Sequence, residues 1–240
     1  MFNAQCSMSN LLREIKQSLR LYMNGVTAQS LREKGLNYHL NWGASLQHLQ
    51  EMAAEIREDV AKKVSGEPTD QFFTLHSSLF TLSSLLWKEN IRECKILATM
   101  LMPPEKFPAD LAMLWVEQTP TQEIAEMAAM NLYRHLPYAK DMAFQLIAQP
   151  YEMAQLQGYC ILSRLFTTDT PFTDSEINEF IDQAHSAFQS STSNVPLGQS
   201  KEISIFNFQF SISLRHTILN AVIKLDQHLP ELKILSLFQG

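Results

Sequence analysis

From residue 70 onward the chain repeats one unit, a pair of helical stretches, and this repetition constrains its fold more than any other feature. "QFFTLHSSLFTLSSLLW" precedes "NIRECKILATMLMPP", "PADLAMLWVEQ" precedes "TQEIAEMAAMNLYRHLP", and "YAKDMAFQLIAQ" precedes "YEMAQLQGYCILSRLF". Each second stretch is apolar and rich in small residues, and two of the three end in proline. Comparable points, Leu97, Met130 and Ile161, recur at about 31–33 residues, the period of stacked helical-pair repeats. One pair cannot bury its own apolar face, so neighbours must stack to build a continuous core. The expected fold is therefore all-α, an array of antiparallel helix pairs over about 70–166. A helical cap over about 9–65 precedes it and an irregular helical unit over about 172–240 closes it, within a single domain over 1–240.

Ser9 is read as the cap of a first helix, "NLLREIKQSLRLYM", ended by Gly25, with Leu12, Ile15, Leu19 and Tyr22 at helical spacing. A short helix, "TAQSLREKG", leads to a corner, "LNYHLNWGAS", after which Ser45 caps "LQHLQEMAAEIRED". "KKVSGEPTD" and "TSNVPLGQSK" read as loops and "TDSEINEFIDQAHSAFQSS" as a capped helix. In "EISIFNFQFSISLRHTILNAVIKL" the apolar positions partly alternate, as in a strand, while the helices before it favour a closing helix. In "TPTQ", Thr119 and Gln122 read as a capping box with Pro120 at the first helical position.

Leu, Met, Ala, Glu and Gln dominate the composition and only seven residues are glycine, which agrees with helix throughout. No apolar run approaches the roughly 18 residues that span a bilayer, and "MFNAQCSMSN" has no signal-peptide pattern. Cys6, Cys94 and Cys160 are too few and too scattered for a disulfide framework or a metal cluster, so a reducing cytoplasm is the expected setting. The seven histidines form no H-x-x-x-H pattern, and there is no P-loop, dinucleotide fingerprint or G-x-S-x-G. Neither metal nor cofactor is expected. Charge is uneven: Lys+Arg against Asp+Glu stand at 12 to 11 over residues 1–106, 3 to 11 over 107–200 and 4 to 3 over 201–240. The middle third is a poor surface for a polyphosphate, which directs attention to the N-terminal half.

Three segments resemble AlkD-type DNA alkylation repair proteins over about residues 10–166. "LYMNGVTAQSLREKGLNYHLNWGASLQHLQEMAAEI" looks like their Tyr-Met segment, glycine corner and Leu-rich helix. "LWKENIRECKILATMLM" looks like their Leu-Trp, Glu, Leu-Ala helix, and "LWVEQTPTQEIAEM" sits where they carry a Trp/Asp helix. The resemblance implies a curved superhelical array of HEAT-like repeats gripping duplex DNA, with a protein partner as the other reading. It also implies excision of cationic N3- or N7-alkylated purines without metal or cofactor. An aromatic face suits the cationic base, a carboxylate stabilises the developing sugar cation and orients water, and an arginine holds the phosphate.

Carried over residue by residue, the family's catalytic carboxylate falls on Glu126, its lesion-contacting tryptophan on Gln122 and its arginine near Gln157 or Gly158. The carboxylate is kept, longer by one methylene, and the aromatic and the cation are missing. Misplacement by about 1 Å can cost a hundredfold in rate, so even that change matters. A shifted register would use Trp115 and Glu117, whose i,i+2 spacing does not share a helix face. Tyr22 is a further candidate for lining the site. Arg13, Lys16 and Arg20, with Lys88, Arg92 and Lys95, are the candidate phosphate contacts, each trio at helical spacing. Glu93, next to the second trio, reads also as a buried pairing partner. Two readings stay open: an N-alkylpurine DNA glycosylase, or a HEAT-like scaffold that binds DNA or protein without excising bases.

Overall fold

The computed structural model describes residues 2–64, 71–193 and 201–238, and the side chains of 8–62, 74–190 and 212–238. The expected loops "KKVSGEPTD" and "TSNVPLGQSK" lie largely outside these residues. Eleven α-helices are described: α1 (Phe2–Leu21), α2 (Gly25–Glu33), α3 (Leu46–Val64), α4 (Gln71–Lys88), α5 (Arg92–Leu101), α6 (Ala109–Glu117), α7 (Gln122–Asn131), α8 (Ala139–Ile147), α9 (Glu152–Leu165), α10 (Asp174–Ser193) and α11 (Lys201–His228). The ambiguous C-terminal segment is helical, within α11. Among the described residues no strand forms, only an isolated bridge between Leu40 and Ile91. The chain divides into two compact units, Met1–Ala112 with His135–Pro137, and Met113–Arg134 with Tyr138–Gly240.

In the first unit α5 packs against α4 and α3, and α1 packs against α4. Every residue of α5 is buried, including Arg92, Glu93 and Lys95. In "CKILATML" the apolar residues are therefore not confined to one stripe, and the polar exceptions, Lys95 and Thr99, are buried with them. In the second unit α9 has the same place, packed by α7, α8 and α11 and buried from Leu156 to Ser163. Gly158 permits the close approach of α8. A Cβ there would stand 2.7 Å from Ile147 Cγ2 and 2.9 Å from both Ala143 O and Ile147 N. Trp87 and Trp115 are buried packing residues. Cys94 and Cys160 are free and buried, and burial pushes the Cys94 thiol up to about 12.

Three expected helix boundaries are corrected. The first helix starts at Phe2 rather than after Ser9. It stops at Leu21, and Gly25 opens α2, whose cap is Asn24: the Asn24 carboxamide oxygen accepts from Thr27 N at 3.1 Å. In "TPTQ" the cap is Thr121, whose hydroxyl accepts from Ile124 N at 3.4 Å, and α7 begins at Gln122. Thr119 faces inward instead, where its hydroxyl lies 2.8 Å from Trp115 O and 3.2 Å from Gln157 Oε1.

The capped helix expected at "TDSE" is observed. Thr173 Oγ1 accepts from Glu176 N at 3.3 Å, and Glu176 Oε2 accepts from Thr173 N at 2.7 Å. Lys140 on α8 joins the box through Glu176 Oε1 at 2.7 Å and Pro171 O at 3.2 Å. Desolvation pushes the Glu176 carboxyl up, but the bonds from Lys140 and Thr173 outweigh it and hold the group below its ordinary value of 4.5. A depressed folded value means the stabilisation is complete above the unfolded value and lost as pH falls through the folded one. Wild type is expected to lose stability against Glu176→Gln below about pH 4.5, and urea melts of the two proteins should converge there. A stability difference that stays constant from pH 6 to pH 3 would contradict this.

Candidate nucleic-acid interface

In the second unit, Glu126 lies in the middle of α7, half-buried, and accepts a hydrogen bond from Gln122 Nε2 at 2.7 Å. The two residues are one helical turn apart, so the shared face expected from their spacing is real. Gln122 thus braces the carboxylate, at the position where the family's aromatic would lie. Behind α7, burial raises the Cys160 thiol, the Glu126 charge raises it further, and Arg164, half-buried one turn along α9, opposes this. Arg164 was not among the candidates. Its position, two turns past Gln157, places it outside the segment where the resemblance locates an arginine.

Gln157 does not line a surface. It is fully buried and bonded at both ends, Nε2 donating to Val116 O and Met153 O at 3.2 Å and Oε1 facing Thr119 Oγ1. Its amide adds a second donor to Val116 O at the end of α6, a carbonyl that also accepts from Thr119 N at 3.2 Å. The neighbouring position offers no room either, since Gly158 is walled by the α8 backbone. The alternative register also fails, because Trp115 is buried.

In the first unit, Arg13, Lys16 and Arg20 follow one face of α1, while Ile15 and Leu19 are buried on another. Arg13 and Arg20 are exposed. Lys16 is half-buried and paired to Glu89 at 2.8 Å, so much of its charge is already compensated. Arg20 lies 5.8 Å from the centre of the Trp42 ring, and Tyr22, exposed, rests on His48 with ring centres 4.5 Å apart. Lys88 is exposed at the end of α4.

The second trio is corrected. Lys88, Arg92 and Lys95 do not share a helix, because α4 ends at Lys88 and α5 begins at Arg92. Arg92 and Lys95 are buried and point inward. Arg92 donates to Ala44 O at 3.0 Å and to Glu93 Oε1 at 3.1 Å. Lys95 donates to Trp87 O at 2.8 Å, lies over the Trp87 ring at 4.4 Å, and is held below the ordinary lysine range by burial. Neither can reach a phosphate.

What they surround is Glu93, the buried partner its other reading named. Its carboxylate accepts from Trp42 N at 3.2 Å, Gly43 N at 2.9 Å and Ala44 N at 3.2 Å, as well as from Arg92. This fixes the "NWGA" corner. Gly43 adopts φ +74°, and a Cβ there would come within 2.2 Å of Asn24 O. The corner in turn holds the start of α2, since Asn24 N donates to Trp42 O at 2.8 Å. Among the described residues, no three His, Cys, Asp or Glu side chains are placed to hold a metal, and no helix is long and apolar enough to cross a membrane.

No protein-family model and no curated protein matches the sequence. Among solved structures, the chain is similar to one described as belonging to a new family of proteins related to the HEAT-like repeat DNA glycosylases with affinity for branched DNA structures. The TM-score is 0.60 at 12% identity, covering 89% of this chain and 83% of that one. At this identity the likeness establishes the fold. The all-α, HEAT-like class expected from the helix pairs is the class observed, and it is the one to which the sequence resemblance pointed.

Proposed function

We propose that this chain is a DNA-binding protein that uses a glycosylase-type HEAT-like fold without excising bases. One observation carries the reading: the position where the resemblance would place the cation is closed. Gln157 is buried and bonded at both ends, and Gly158 has no space for a side chain. Glu126 keeps a carboxylate, but its near partner is the amide of Gln122 rather than an aromatic face. A carboxylate alone can stabilise a sugar cation, yet among the described residues its hydrogen-bond partner is an amide, and the buried Gln157 is turned away from any alkylated base or adjoining phosphate.

DNA binding falls to the first unit, where Arg13, Arg20 and Lys88 are exposed and the charge balance is not acidic. The similar protein's affinity for branched DNA supports the same reading. A reducing, cytoplasmic setting suits the free cysteines. The second reading, glycosylase activity, has Glu126 in its favour as a half-buried carboxylate on a helix face.

The test is release of methylated purine from alkylated duplex DNA. Wild type and Glu126→Gln are both expected to release no more base than buffer does. Release by wild type well above buffer, abolished in Glu126→Gln, would replace this reading with the glycosylase one.

A further inference from the structure

The turn between α1 and α2 carries the two most exposed large apolar side chains among the described residues, Leu21 at 84% and Val26 at 82%, with Met23 at 61% between them. Exposure this high leaves the side chains almost without neighbours, so the turn is a protrusion rather than the wall of a groove. It is also held in place. Asn24 caps α2, donates its N–H to Trp42 O and accepts from Ala28 N at 3.0 Å, and Gly43 packs against it. Tyr22, at the same turn, is braced on His48. A fixed, exposed apolar tip is unfavourable in water, and Arg20, next to Leu21, with Arg13 two helical turns further back on α1, gives it a specific complement. Residues 1–50 hold five Lys+Arg (Arg13, Lys16, Arg20, Arg32, Lys34) against two acidic residues, Glu14 and Glu33.

We propose that this turn is a wedge for unpaired bases in DNA, and that it gives the protein a preference for forks and junctions over continuous duplex. Leu21, Met23 and Val26 lie against base faces that a branch point exposes, and Tyr22 adds an aromatic surface. Arg13 and Arg20, two helical turns or about 10 Å apart along α1, hold the phosphates of the strand entering the branch. Apolar side chains enter between bases only where stacking is already weak, and every base offers a face, so the contact selects structure rather than sequence. The inference rests on the DNA-binding reading and assigns the residues that would carry selectivity.

The test uses fluorescence anisotropy with a forked duplex and a blunt duplex of equal length, and 2-aminopurine beside the fork. Wild type is expected to bind the fork at least about tenfold more tightly and to brighten the 2-aminopurine. Leu21→Ser/Met23→Ser/Val26→Ser should keep duplex affinity, lose the preference and leave the 2-aminopurine dark. These side chains are solvated, so the variant should keep the wild-type melting temperature. Arg13→Ala/Arg20→Ala should weaken both substrates alike. A triple variant that still prefers the fork overturns the wedge alone, as does wild type binding both substrates equally. Light scattering that shows a wild-type dimer and a monomeric triple variant would assign the turn to self-association and overturn it too. Wild type that binds neither DNA overturns the DNA-binding reading itself.

Discussion

Glu93→Ala is expected to lower stability by about 3–5 kcal/mol, one of the two largest effects anticipated for a single substitution in this chain. The carboxylate is fully buried and accepts from three consecutive backbone N–H groups of the 42–44 corner and from Arg92. Removing it takes the carboxylate acceptor from Trp42 N and Ala44 N, leaves Gly43 N only Asn41 Oδ1 at 2.8 Å, and strips the buried Arg92 guanidinium of this charge, and each loss is expensive away from water. The loss would spread, because the corner holds Asn24 and hence the cap of α2. Glu93→Gln keeps one acceptor oxygen and the shape, so it should cost less than alanine. Urea melts of the three proteins measure the order. Alanine costing less than about 1 kcal/mol would show that the corner is not held by this carboxylate.

Gly158→Arg is expected to destabilise the second unit by about 3 kcal/mol or more, even though the resemblance places an arginine at or beside this position. The methylene at Cβ would meet the α8 backbone at 2.9 Å before any guanidinium could be placed. Helix axes that approach this closely depend on a missing side chain, and separating them would disturb the packing of α9 against α7 and α11 as well. Gly158→Ala should already show part of the cost. The expected result is a lowered melting temperature for both variants and no gain in methylated-purine release. A stable arginine variant that releases base would mean that the position is open and the activity recoverable.

The helix pairs were legible because burial of each second helix leaves a local signature, a stretch rich in apolar and small residues such as "CKILATML" or "YCILSRLF". The fates of Arg92 and Lys95 were not. Their spacing fits an exposed stripe, and what turns them inward lies elsewhere: Ala44 O for Arg92, 48 residues away, and the end of α4 for Lys95. The same holds for Gln157, whose partners belong to the end of α6 about 40 residues earlier. Local rules also misassigned the cap in "TPTQ". Two threonines flank Pro120, and which one caps depends on Thr119 being drawn inward by Gln157. Glu126 with Gln122 was legible as a pair because one helix sets both residues. The exposure of Leu21, Met23 and Val26 had no sequence signal, since apolar residues at the end of a helix ordinarily read as buried.

This chain is expected to bind DNA through basic side chains of its N-terminal half. The most direct measurement is anisotropy of a labelled duplex titrated with wild type across 50 to 200 mM salt. Several phosphate contacts should make log affinity fall linearly with log salt, with a slope of about −0.9 per contact, and Arg20→Ala should reduce that slope by about one. No binding at the lowest salt, or an affinity that does not change with salt, would contradict it.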